Sequence, residues 1–347
     1  MSPGHVTQGD TGKGFIAPPP TKAPITGIVY CLCSSVCFSL SNLSVHLLSR
    51  LPEPRIPVLQ TISVRFFFQV GCTVIALCIA RRDRVRERST WMGQPGNAWK
   101  LTLRGAWGMV GLTGWFHLLS VMSFSDATAI VFTNVCLTGI FAHLLLGEPY
   151  SKLDFATALL GLLGVVFVAQ PSSVFGGSGE PIAPLAVLAG LGTACASSMA
   201  YVSARMIGPS EDPLVITLWF GVLGALCAPL LTVAVEGGFM AAPSAAAAWL
   251  QVAAGLVGFF GQIFLNAGLS MAPVGPSSVM RYSELVFALV IQTLLLLDPP
   301  NALKVLGSLL VCSSVISTLY KARAKAHAEL VAPPLSEEED RHNYYTF

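Results

Sequence analysis

Three charged side chains lie deep inside otherwise apolar stretches of the sequence: Arg65, Arg281 and Glu284. Charge within a membrane segment is costly, so such residues usually face a cavity or a partner. A guanidinium group suits a carboxylate or phosphate of a small solute, and Glu284 could hold Arg281 in place or carry a coupling proton. Because Arg281 and Glu284 lie three residues apart, they could also simply neutralise each other.

Uncharged polar residues on the neighbouring apolar segments extend this candidate binding set. The substrate-binding residues predicted from these stripes are Arg281, Glu284, Tyr282, Asn134, Gln262, Asn266, Asn42, Tyr201, His117 and Arg65. For Arg65 we favour a structural role, in which it anchors its helix to backbone carbonyls of a neighbour. Ser and Thr stripes more often serve helix packing than binding, and a lone histidine such as His117 is more often a hydrogen-bonded core residue.

The composition indicates a membrane protein. Of the 347 residues, 53% are hydrophobic and 11% are charged, whereas soluble domains carry about 25% charge. A helix needs about 20 apolar residues to cross a bilayer. We therefore predict an all-α integral membrane protein with ten transmembrane helices, near residues 26–48, 57–80, 104–123, 127–146, 153–170, 183–204, 213–235, 248–271, 275–297 and 301–320.

The distribution of Lys and Arg predicts the orientation. Ten spans place both termini on one side, and that side holds fifteen of the twenty basic residues, with Arg104 and Arg205 counted among them. The positive-inside rule makes this side the cytoplasm. The polar tails, residues 1–24 and 322–347, are predicted to be disordered, and the plasma membrane is favoured over the Golgi or ER.

A shift of 150 residues superposes features of the two halves of the chain. It places Trp99 on Trp249, and the acidic-Pro pair at Glu148 on the pair at Asp298. Both acidic residues precede a proline at a helix start, where a carboxylate favours the helix dipole. We therefore predict a capping role for both.

These matches predict two five-helix repeats, residues 25–170 and 183–321, joined by a loop at 171–182. Because five is odd, the second repeat must enter the membrane from the opposite side, which makes the repeat inverted. The shift places Asn134 opposite Glu284. Polar groups at equivalent places in both halves are what a shared central cavity would need.

Several short motifs resemble the EamA-like drug/metabolite transporter superfamily. They are Val-Arg-Phe at 64–66, Leu-Gly-Glu-Pro at 146–149 and Leu-Leu-Asp-Pro at 296–299. The stretch Ser-Val-Met-Arg-Tyr-Ser-Glu-Leu-Val-Phe-Ala at 278–288 is similar to the group G branch of solute carrier family 35. The resemblance covers residues 25–321 and implies ten helices in an inverted repeat around a central cavity. The sequence departs from the family at Asp298, where glutamate is usual, and the resemblance does not identify the solute.

The predicted function is a secondary transporter that moves a small polar or anionic metabolite by alternating access. Its partners are the solute and the lipid bilayer. We expect no enzyme activity, cofactor, metal or nucleic acid, because the net charge is only +2 and the nine cysteines lack metal-site spacing. Whether the chain pairs as a homodimer is left open.

Two alternatives remain at this stage. The first is a nucleotide-sugar/nucleotide antiporter, which is weakened because the second half shows no other Lys or Arg near Arg281. The second, from another class, is a membrane-embedded enzyme or receptor. It is disfavoured because His-Glu-x-x-His and Gly-x-Ser-x-Gly are absent and ten spans fit a seven-span receptor poorly.

Overall fold

A computed structural model describes residues 24–52, 56–81, 88–176, 183–296 and 299–331. Asp298, most of both predicted tails and half of the predicted loop at 171–182 lie outside these ranges. Their predicted roles are therefore not addressed by the structure.

The described residues form helices and no strand. The helices are α1 (Pro24–Ser49), α2 (Val58–Ala80), α3 (Arg88–Met92), α4 (Ala98–Val121), α5 (Phe124–Val131), α6 (Asn134–Leu146), α7 (Lys152–Ala169), α8 (Ser172–Phe175), α9 (Pro184–Ile207), α10 (Pro213–Glu236), α11 (Ala245–Met271), α12 (Val274–Val279), α13 (Ser283–Leu296) and α14 (Ala302–Val331), with a 3-10 turn at Met280–Tyr282. All nine cysteines are free thiols, in keeping with their apolar surroundings.

Nine segments of the described chain are long and apolar enough to cross a membrane, as judged by length and composition. They correspond to nine of the ten predicted spans. The predicted span at 104–123 forms helix α4, which is not among the nine. This helix carries Lys100 and Arg104, which lower its apolar character.

Two predicted spans are broken rather than continuous. The fourth consists of α5 and α6, separated by Phe132 and Thr133, and the ninth consists of α12 and α13, separated by the turn Met280–Tyr282. Both breaks adjoin predicted site residues, so that Asn134 begins α6 and Glu284 is the second residue of α13. The predicted site residues of these two broken spans therefore lie at or beside helix ends.

Small residues let several helices cross closely. A side chain at Gly164 of α7 would lie 2.7 Å from the carbonyl oxygen of Gly307 on α14. At Gly27 of α1 it would lie 2.7 Å from the Cβ atom of Ala272, just beyond α11. Such small-residue contacts are the usual packing device of membrane helices.

Two predicted boundaries differ from the structure. Helix α14 continues to Val331, so the tail predicted to be disordered from residue 322 begins with helical residues. Its extension is tied to the bundle where Lys321 Nζ lies 3.2 Å from Asp154 Oδ1. The predicted loop at 171–182 begins with the short helix α8.

Candidate functional site

Serines on α1 support the break in the ninth span. The Ser35 hydroxyl donates a hydrogen bond to the Met280 carbonyl at 3.0 Å, and the Ser39 hydroxyl donates to the Glu284 carbonyl at 2.7 Å. Within a membrane, backbone groups released from a helix need such partners. These two serines of α1 thus hold the turn that carries Arg281.

Three predicted site residues meet beside this turn. Arg281 and Glu284 form an ion pair one helical turn apart, and the Asn42 Nδ2 group donates a hydrogen bond to Glu284 Oε1 at 2.8 Å. The two charged side chains are largely buried, whereas Asn42 is exposed. The carboxylate therefore lies just beneath an accessible surface.

A second guanidinium lies in the same place. The Phe38 ring has Arg281 Cζ at 4.7 Å and Arg65 Cζ at 5.4 Å from its centroid, so two helices direct cations at one aromatic ring. The four ion pairs of the described residues do not include Arg65, whose charge interacts with those of Glu284 and Arg281. That Arg65 anchors α2 to backbone carbonyls of a neighbour stays a prediction.

A deeper polar layer surrounds Asn266 of α11. Arg104 Nη2 donates to Asn266 Oδ1 at 3.1 Å, and Asn266 Nδ2 donates to Thr217 Oγ1 at 3.0 Å. Gln262 Nε2 lies 3.4 Å from the same Asn266 oxygen. The predicted residues Gln262 and Asn266 thus belong to the buried surroundings of Arg104 and do not lie at an open surface.

Sequence reasoning assigned Arg104 to the cytoplasmic charges and so missed it. The side chain is only 3% exposed, and its Cζ atom lies 5.1 Å from the Phe220 ring centroid. Arg104 lies four residues before Gly108 on the same helix face, and its Nη1 atom occupies the space beside that glycine.

The acidic-Pro residue Glu148 caps a different helix from the one predicted. Its Oε1 atom lies 2.7 Å from Arg205 Nε, and its Oε2 atom accepts a hydrogen bond from the Val274 N–H at 2.8 Å, at the start of α12. Arg205 also donates to the Ser270 carbonyl at 2.8 Å. Helix α7 is capped instead by Ser151. Arg205, which was counted among the basic residues of the cytoplasmic side, is buried in this cluster.

Three further predicted site residues are Tyr282, Tyr201 and Asn134. Tyr282 is fully buried and donates its hydroxyl to the Ala158 carbonyl at 3.0 Å, so it supports α7. Tyr201 of α9 is partly buried and packs against the hydrophobic core cluster that contains Tyr282. Asn134 accepts a hydrogen bond from Ser198 at its carbonyl, and no described contact joins it to Glu284.

His117 is exposed on α4. It lies thirteen residues beyond Arg104, or roughly 20 Å along the helix axis. The structure therefore does not bring it to the layer that contains Asn266.

An apolar groove of about 380 Å³ lies between α13 and α14. It is lined by Val286, Leu289, Val290, Thr293, Leu294, Pro300, Val305, Ser308, Leu309 and Cys312. Its lining carries no charge, and none of the predicted site residues belongs to it. The groove is therefore separate from the charged cluster.

The chain matches the family model of the EamA-like transporter family at residues 25–170 and 184–320. It also resembles a solved crystal structure with a TM-score of 0.66 at 19% sequence identity, covering 83% of this chain and 96% of that one. This likeness shows a shared fold.

Similar proteins of three organisms carry transport names. Probable transport protein YPL264C of Saccharomyces cerevisiae is 27% identical over 300 residues, covering 82% of this chain and 84% of that protein. Human Solute carrier family 35 member G1 is 26% identical, covering 86% and 81%. Pseudopaline exporter CntI of Pseudomonas aeruginosa is 24% identical, covering 86% and 97%. The family expected from the short motifs is confirmed: the chain belongs to the EamA-like transporter family and is a multi-pass membrane transporter.

Proposed function

We propose that this chain is a secondary transporter that binds a small anionic organic solute beside Arg65, Arg281 and Glu284. Two guanidinium groups share this place with one carboxylate, and only Arg281 is paired with it. An anionic group of the solute would supply the missing partner of Arg65 through charge-assisted hydrogen bonds. The unneutralised guanidinium beside a largely buried ion pair is the observation that carries the proposal.

The neighbouring polar residues would complete this site in two layers. Asn42, which already donates to Glu284, would reach the solute directly, and a solute contact by Tyr201 stays a prediction. Gln262 and Asn266 would act through Arg104, and Tyr282 would support the fold around the turn. Solute contacts by Asn134 and His117 stay predictions.

We also propose that α4 crosses the membrane, which makes ten spans. It packs along the span α9, with Gly111 beside Ser197 and Gly114 beside Thr193. Its Arg104 is buried in protein and so is not exposed to lipid. Ten spans give five for each of the repeats 25–170 and 183–321, and an odd number requires inverted repeats.

The solute would cross by alternating access between these repeats. Glu148 belongs to the first repeat, and its partners Arg205 and Val274 belong to the second, where Arg205 also donates to the Ser270 carbonyl. This link holds one end of the bundle closed, and Asn42 is exposed beside the charged pair. With both termini in the cytoplasm and the protein in the plasma membrane, the closed end would face inward.

Binding and uptake measurements test the anion site. Purified protein would be screened by thermal shift against anionic metabolites, and the strongest ligand followed into proteoliposomes. We expect Arg65→Gln and Arg281→Gln each to weaken binding about 10- to 100-fold, because each removes hydrogen bonds between charged groups.

The matched control is Arg81→Gln. Arg81 makes an ion pair with Asp212 that is about one-quarter exposed, so the same chemical change there should leave binding and uptake unchanged. Wild-type affinity in both Arg65→Gln and Arg281→Gln would contradict the proposed site.

Nucleotide-sugar/nucleotide antiport is the second candidate. The structure favours it more than the sequence did, because Arg65 of the first half lies beside Arg281, and paired guanidinium groups suit phosphates. Proteoliposomes preloaded with a nucleoside monophosphate should then accelerate uptake of the matching nucleotide sugar. Equal uptake into loaded and unloaded vesicles would exclude this exchange.

A further inference from the structure

Arg104 is a buried cation whose described partners are all neutral. It is 3% exposed, its Nη2 group donates to Asn266, its guanidinium lies over Phe220, and its Nε atom has no hydrogen-bond partner. It forms no ion pair with any carboxylate of the described chain. A buried charge without a counter-charge is strongly unfavourable, so the fold keeps Arg104 there at a cost in stability.

Arg104 and Arg65 lie at two ends of one face of α11. Arg65 lies against Gly258 and Arg104 contacts Asn266, with Gln262 midway between them. The intervals of four residues keep these positions on one helix face. The eight residues between the two contact points correspond to about 12 Å along the helix.

The two ends carry equal net charge. At the first end, Arg65 and Arg281 face the single carboxylate of Glu284, which leaves one positive charge. At the second end, Arg104 again leaves one positive charge.

We propose that Arg104 is a second anion-binding position of the transport site and that the solute is a dicarboxylic acid. This inference rests on the proposed function and deepens it. One unneutralised charge at each position matches a carboxylate better than a phosphate monoester, which carries nearly two charges.

The closed link lies directly beyond this position. Ser270, whose carbonyl accepts from Arg205, is one turn past Asn266 on α11. Arg104 is therefore buried while the link is closed. Opening the link would give the second carboxylate access to it.

A charge-matched ligand series tests the inference on the full-length protein in detergent. Straight-chain dicarboxylates from malonate to adipate would each be compared with the monomethyl ester by thermal shift, since ligands stabilise the folded state by mass action. We expect at least one dicarboxylate to bind about 10- to 100-fold more tightly than its ester. Arg104→Gln should remove this preference and leave the binding of the ester unchanged.

Lys100→Gln is the matched control, because Lys100 lies one turn earlier on α4 and donates to the Met206 carbonyl. It should retain the preference. Arg104→Lys keeps the charge but loses the planar fork, so it should weaken dicarboxylate binding several-fold and serves if the Gln variant does not fold.

The outcomes separate the two proposals. The inference is overturned if no dicarboxylate exceeds its ester, if the preference survives in Arg104→Gln, or if Arg104→Lys binds dicarboxylates as tightly as wild type. Ester binding that is unaffected by both Arg281→Gln and Arg65→Gln would instead count against the proposed site itself.

Discussion

At the scale of single residues, the position of Arg65 depends on the missing side chain of Gly258. A Cβ atom added there would lie 2.7 Å from Arg65 Nε, so Gly258→Ala must displace the guanidinium from its place beside Phe38. We expect anion binding to weaken roughly tenfold, as if one charged hydrogen bond were lost. Titration by thermal shift would measure the change.

Gly71→Ala is the matched control on α2, the helix that carries Arg65. No atom lies within 4 Å of the added Cβ, so this variant should bind the anion normally. It should also gain up to about 1 kcal/mol of stability from the better helix propensity of alanine. Equal anion binding by the Gly258 and Gly71 variants would show that binding does not depend on the present position of Arg65.

Tyr282 provides a second test at this scale, because it was predicted to bind solute and yet is fully buried. Its hydroxyl donates to Ala158 and lies 3.7 Å from Cys136 Sγ. Tyr282→Phe should therefore lower the free energy of unfolding by about 1 kcal/mol while the anion Kd stays unchanged. A higher Kd at unchanged stability would instead indicate that Tyr282 binds the solute.

At the scale of helices, the buried Glu148–Arg205 pair decides how the two repeats meet at one end. Glu148→Gln leaves Arg205 buried without a counter-charge, which should cost about 3–5 kcal/mol. Replacing both residues by glutamine should cost less than the sum of the two single replacements, because no buried charge is then left unpaired. Denaturation of all three variants would measure this coupling, and strict additivity would show that the pair does not act as a unit.

The second carboxylate contact separates capping from charge pairing. Glu148→Gln retains an oxygen for the Val274 N–H, whereas Glu148→Ala removes it. Hydrogen exchange at the start of α12 should therefore accelerate more in the alanine variant than in the glutamine variant. The same rate in both would mean that the hydrogen bond at 2.8 Å does not protect this helix.

At the scale of the whole molecule, the number of spans decides where the two ends of the chain lie. Nine spans would place the termini on opposite sides of the membrane, whereas crossing by α4 makes ten and returns both to one side. Protease-cleavable tags at the two ends, probed in sealed vesicles of known orientation, should be protected or cleaved together. Protection of only one tag would show that α4 does not cross.

Much of this architecture follows from local properties of the amino-acid sequence. Apolar windows of about 20 residues placed nine segments correctly, because crossing a bilayer depends on local composition. The scarcity of charge also marked Arg65, Arg281 and Glu284 as unusual before any neighbour was known. The motifs that contain Arg65 and Glu148 indicated the family.

Only the tertiary structure decided which of these side chains meet. Asn42 and Glu284 are 242 residues apart, and Arg104 and Asn266 are 162 apart. Periodicity shows which residues share a helix face, but the face's partner depends on how the helices pack. The 3-10 turn likewise directs Tyr282 into the core and its neighbour Arg281 toward Glu284, because a break changes the direction of successive side chains.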